Sequence, residues 1–98
     1  MSVDAIINDL RERIKDSPVR ADVKFDLGSD GVILVRGSTT PPEISREDGP
    51  AEVTLRLSAA DLQEILAGSL NPQMAFMGGR LQVDGNMALA MQLADVLG

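Results

Sequence analysis

Four methionines, Met74, Met77, Met87 and Met91, fall inside one short stretch of this chain. Thioethers are flexible and polarizable, so they fill irregular space against varied partners. Leu70, Phe76 and Leu81 lie among them, and from Leu66 to Leu93 the only charged side chains are Arg80 and Asp84. Such a segment suits a soft pocket for an apolar ligand. Spacing alone leaves a second reading open, in which the same residues are plastic core filler.

Other chemistries lack their residues. The chain has no histidine, cysteine, tyrosine or tryptophan, which removes the commonest general bases, nucleophiles and transition-metal ligands. Its serines have no histidine to activate them, which argues against a serine hydrolase. Gly78-Gly79 and Gly85 match neither G-x-G-x-x-G nor a Gly-Lys-Ser/Thr ending, so they read as turns rather than a phosphate loop. Glu43, Glu47, Asp48 and Glu52 are clustered acids without the ligand spacing of a calcium loop. Catalysis by the remaining carboxylates and lysines is disfavoured, and no cofactor is expected.

The net charge of −6 argues against nucleic acid, which needs a basic footprint, and against tight adsorption to anionic membranes. With 98 residues, one domain with one core is expected. No run of apolar residues is long enough to span a bilayer, and no basic-then-apolar leader opens the chain. A cytoplasmic protein is expected.

The elements that must position the methionines follow from periodicity. Val3, Ile6, Ile7, Leu10 and Ile14 have helical spacing over 3–16, with Ser2 as cap and Pro18 as stop. The opposite side, from Asp9 to Asp16 and including Arg13, reads as a solvated face. Ala21, Val23, Phe25 and Leu27 alternate with Asp22, Lys24 and Asp26 as a half-exposed strand. Gly28 to Gly31 is a hairpin turn, and Val32 to Val35 is a second strand in which alternation fails. Residues 37–50 read as a surface loop with room for a weak edge strand around 39–45. Val53, Leu55 and Leu57 mark another strand.

Ser58 then caps a helix carrying Leu62, Ile65 and Leu66, and Gly68 suits its left-handed end. Asn71-Pro72 starts a further short helix. Leu81 and Val83 belong to a last strand, closed by Gly85-Asn86. In the final helix, Met87, Ala90, Met91, Ala94 and Leu97 form one stripe, and Leu89, Leu93 and Val96 form another. A helix apolar over so much of its surface must be covered on two sides: by a sheet, and by a helix, a partner chain or a ligand.

Three pieces, in order, resemble the sterol carrier protein type two family. Ala51 to Ser58 resembles its strand leading into a helix. Leu66-Ala-Gly-Ser-Leu-Asn-Pro-Gln-Met-Ala-Phe-Met77 resembles its Gly-x-Leu/Met-Asn-Pro-x-x-Ala-Phe signature. Arg80-Leu-Gln-Val-Asp-Gly-Asn-Met-Ala-Leu-Ala-Met91 resembles its strand-then-Gly-Asn/Asp-Met-x-x-Ala-Met signature. Gly78 stands where some relatives carry Gln, a departure that bears on a head-group contact.

The resemblance implies an α+β fold: an N-terminal helix, and a five-stranded, mostly antiparallel sheet with helices packed on one face. Between the layers it implies an apolar tunnel for fatty acids, acyl-CoAs, sterols or phospholipids. The expected lining is Phe25, Leu57, Ile65, Leu66, Leu70, Met74, Phe76, Met77, Leu81, Val83, Met87, Ala90 and Met91. Expected partners are a lipid or other hydrophobic small molecule, with transient contact with a membrane and a homodimer both open. The rival reading is a non-catalytic module that docks an enzyme of lipid metabolism or a second copy of itself.

Overall fold

The computed structural model describes residues 3–15, 21–39 and 42–97. The expected helix cap Ser2 and stop Pro18 lie outside them. Helix α1, Val3–Ile14, buries Ile6, Ile7, Leu10 and Ile14, the stripe its spacing predicts. It ends two residues short of the expected 3–16. Strands β1, Asp22–Asp26, and β2, Val32–Arg36, pair antiparallel, with Asp26 opposite Val32. The turn between them is one 3-10 turn, Gly28–Asp30, closed by the Leu27 amide donating to the Gly31 carbonyl at 2.8 Å.

Alternation fails in β2 because both of its faces are covered. Ile33 and Val35 join the main core, whereas Leu34 is buried but lies outside that cluster. The segment after the edge strand β3, Glu43–Ser45, comes back over Leu34. A Cβ on Gly49 would stand 3.1 Å from Leu34 Cδ2. Lys24 Nζ holds this segment through Asp48 Oδ1 at 2.6 Å. The hydrogen bond from Lys24, and then its charge, keep the Asp48 carboxyl below the usual carboxylate range.

Strand β4, Val53–Arg56, pairs parallel to β1, with Phe25 opposite Leu55, and β5, Gln82–Gly85, pairs antiparallel to β4. The order is β3-β2-β1-β4-β5. The sheet is therefore antiparallel except at its centre. Between β4 and β5 come α2, Ala59–Leu66, and α3, Pro72–Met77, and α4, Met87–Leu97, follows β5. Helices α1, α2 and α4 share one core with the inward side chains of β1, β2 and β4. No described helix is long and apolar enough to cross a membrane.

Arg13 departs from the solvated-face reading. It bonds Asp9 Oδ1 at 3.0 Å, and its guanidinium donates to the Leu97 carbonyl at 3.0 Å and to the Leu66 carbonyl. Those carbonyls belong to the last residues of α4 and α2, so one cation satisfies two helix C-termini and complements both dipoles. Its side chain is 33% exposed, which leaves much of the contact shielded from water. Replacing it, Arg13→Ala, is expected to lower stability by about 2 kcal/mol, the scale of a lost charged hydrogen bond that leaves acceptors unpaired. Arg13→Lys should recover part of this, because an ammonium lacks the fork that reaches both carbonyls. Urea melts check it, and an unchanged midpoint in the alanine variant would reduce Arg13 to a surface charge.

Candidate functional site

The greasy last third folds into short elements whose ends are chemically specified. Ser58 Oγ accepts from the Asp61 amide at 3.0 Å and so starts α2. The Ser69 amide returns to the Glu64 carbonyl at 2.8 Å and ends it, with Gly68 at φ 80° between. Asn71 Oδ1 accepts from the Gln73 and Met74 amides at 2.8 and 3.3 Å, and Pro72 fills the first turn of α3. After α3, the Arg80 amide donates to the Ala75 carbonyl at 2.9 Å. The Arg80 guanidinium grips Asp61 and, at 2.9 Å, Glu64, both on α2. Its hydrogen bond to Asp61 raises its already high pKa further. Asn86 Oδ1 accepts from the Leu89 amide at 3.2 Å and starts α4.

Held this way, the sheet and α2, α3 and α4 enclose an open apolar cavity of about 450 Å³. Phe25, Leu55, Leu57, Leu81 and Val83 come from the sheet and its strand ends. Leu62 and Ile65 come from α2, and Pro72, Gln73, Phe76 and Met77 from α3. Met87, Ala90, Met91, Ala94 and Leu97 complete it from α4. Gln73 is the one polar side chain in this lining, and none is charged. Its lining is most exposed on α3 and α4, where Phe76, Met77, Met87 and Met91 are 44%, 80%, 45% and 56% exposed.

The structure brings Phe25, Leu57, Ile65, Phe76, Met77, Leu81, Val83, Met87, Ala90 and Met91 of the expected lining to this cavity. It does not bring Leu66, Leu70 or Met74 there. Leu66 is buried in the core at the end of α2, where its carbonyl meets Arg13. Leu70 packs half-buried against the core beyond α2. Met74 stands on α3 outside the lining, 65% exposed.

Sequence reasoning missed Leu55, Leu62, Pro72, Gln73, Ala94 and Leu97. Most carried a usable signal. Leu55 shares a strand face with Leu57, Leu62 lies one turn before Ile65, and Ala94 and Leu97 extend the stripe of Ala90 and Met91. Gln73 carried none. Among the described residues no group of acids is arranged to hold a metal ion, and Asp48 of the acidic loop faces Lys24 instead.

Comparison with known proteins bears on this site. The profile of the SCP-2 sterol transfer family matches residues 7–98. Non-specific lipid-transfer protein-like 1 of Caenorhabditis elegans is 31% identical over 104 residues, covering 96% of this chain and 88% of that protein. Sterol carrier protein 2 of Bos taurus is 38% identical over 61 residues, 62% of this chain, and the match spans only 10% of the bovine protein. The apo structure of sterol carrier protein 2 from Yarrowia lipolytica superposes with a TM-score of 0.72 at 26% identity, covering 91% of this chain and 73% of that one. The profile runs through every element that walls the cavity, and the nematode relative is matched over nearly its whole length: the chain belongs to the SCP-2 sterol transfer family.

Proposed function

We propose that this chain binds a lipid by its apolar part in the cavity, and carries it between membranes or to an enzyme. A fatty acid, an acyl-CoA, a sterol-like lipid and a phospholipid are the candidate ligands. The observation that carries this reading is the open cavity of about 450 Å³ whose lining has no charged side chain. That size falls within the roughly 300–1,000 Å³ of small-molecule sites. Family membership supports the same reading.

The energetics are adequate. Each buried methylene is worth roughly 0.8 kcal/mol, so a chain of ~14 contributes up to ~11 kcal/mol gross. Association costs of several kcal/mol bring this to the order of micromolar affinity. That is tight enough to shield an acyl chain and weak enough to release it. The exposed apolar residues at the opening would touch a bilayer transiently while the lipid passes. A cytoplasmic setting is compatible with this route.

Native mass spectrometry of the freshly purified protein, followed by organic extraction, tests it. A bound mass that extracts as a fatty acid, sterol or phospholipid is the expected result and names the ligand. A clean apo mass, with no uptake from mixed lipids, would overturn it. The accessory-module reading then takes its place, because apolar surface continues past the cavity at Met74, and a stable dimer would support that reading.

A further inference from the structure

The chain contains no cysteine, tryptophan, tyrosine or histidine, so thioethers are its readily oxidised groups. Three of them, Met77, Met87 and Met91, line the cavity and are 80%, 45% and 56% exposed. Met74 lies in the same short segment, 65% exposed, but outside the lining. All four meet solvent. They differ in whether they line the cavity, where a ligand would lie against them. Methionines that merely fill a core would be shielded by burial, and these are not.

Oxidation changes the wall in one specific way. The sulfur lone pair attacks the terminal oxygen of a hydroperoxide and the O–O bond breaks. One oxygen ends on sulfur. The other takes the proton and leaves as an alcohol, or as water when the oxidant is hydrogen peroxide. Sulfur gives up two electrons and the peroxide gains them. The product is a dipolar sulfoxide in place of an apolar thioether. A lipid lying over it would strip water from the S–O oxygen, and Gln73 is the one lining side chain able to donate a hydrogen bond.

Resting on the lipid-binding reading of the cavity, we infer that Met77, Met87 and Met91 form a hydroperoxide-oxidation site whose conversion to sulfoxides makes the cavity release its lipid. The coupling runs both ways. A bound lipid covers these sulfurs and slows their oxidation, and it leaves Met74 as reactive as before.

The test uses the full chain, hydrogen peroxide as oxidant, peptide mass spectrometry to locate sulfoxides, and a fluorescent long-chain fatty acid as probe. The untreated protein is titrated first. Its failure to bind overturns the lipid-binding reading and this inference with it, whereas binding isolates the inference. The expected result is affinity lowered about tenfold or more as sulfoxides accumulate at Met77, Met87 and Met91. Preloading with the fatty acid should slow oxidation at those positions several-fold and not at Met74. The Met74→Leu variant should lose affinity as the parent does. In a Met77→Leu/Met87→Leu/Met91→Leu variant, affinity should be the same before and after peroxide, whatever its starting value. If that variant does not fold, the parent time course and Met74→Leu still decide. Unchanged affinity with all three sites oxidised, a loss that follows Met74, or unfolding upon oxidation as judged by circular dichroism overturns the inference.

Discussion

Gly85→Ala is expected to lower stability by about 3 kcal/mol, through a disfavoured backbone angle and a backbone clash acting together. Gly85 closes β5 at φ 108°, opposite Val53. A Cβ there would stand 2.5 Å from the Glu52 carbonyl oxygen and 3.1 Å from Val53 Cα. Both are backbone atoms, so no side chain can rotate away. The same Glu52 carbonyl accepts from the Asn86 amide at 3.2 Å, and Asn86 starts α4. Forcing β5 outward therefore also displaces the helix that supplies five lining residues. In a domain of this size each kcal/mol shifts the melting temperature by roughly 4–8 °C, so a drop of more than ten degrees is expected. Gly68→Ala is the control: its φ is 80°, but a Cβ there meets nothing within 4 Å, and it should cost about 1 kcal/mol. Equal melting temperatures for the two variants would remove the close approach as the cause.

Filling the cavity should cost binding rather than stability. Ala94 is half-buried on α4 and lines the cavity. Ala94→Phe places a ring where a ligand would lie and excludes about four methylenes. At ~0.8 kcal/mol each, the loss is ~3 kcal/mol, or more than a hundredfold in affinity for a long-chain fatty acid. Met91→Glu should act in the same direction by putting a carboxylate into the apolar wall, which strongly disfavours an acyl chain. Met74→Glu, outside the lining, should leave affinity unchanged. Fluorescent fatty-acid titration of the three variants, each checked for fold by circular dichroism, is the measurement. Full-strength binding in folded Ala94→Phe would show that the fatty acid lies elsewhere.

What could be read from the sequence was local. The caps at Ser58 and Asn71 are specified by side chains that bond amides two and three residues away, so residue type alone announces them. Strand β1 alternates because one of its faces is only half-buried. Strand β2 does not, because Leu34 is covered by a segment more than ten residues further along the chain, and no period encodes that. Arg13 looked like any surface arginine of an amphipathic helix. Its role exists only where the ends of α2 and α4 converge. In the same way, α3 is too short for a period to separate Met77, which lines the cavity, from Met74, which does not. The α+β class and the helix-covered sheet came with the family resemblance, and the parallel contact of β1 with β4 had no signature in the residues themselves.

That parallel contact bears on the order of assembly. The β1–β2 hairpin joins neighbours in the chain, and such hairpins close in roughly 1–10 μs. The β1–β4 seam must close over β2, β3 and the returning loop, at the entropic cost that makes non-local pairing slow. Phe25 contributes from one side of this seam, and the other lining residues lie on its far side, from β4 onward. The cavity is therefore expected to be finished late, when the two halves of the sheet meet. Until then the methionine-rich third has only the β4–β5 pair to rest on, and apolar surface exposed during folding promotes aggregation. A greasy ligand or a chaperone encountered at that stage would meet the same residues that line the finished cavity.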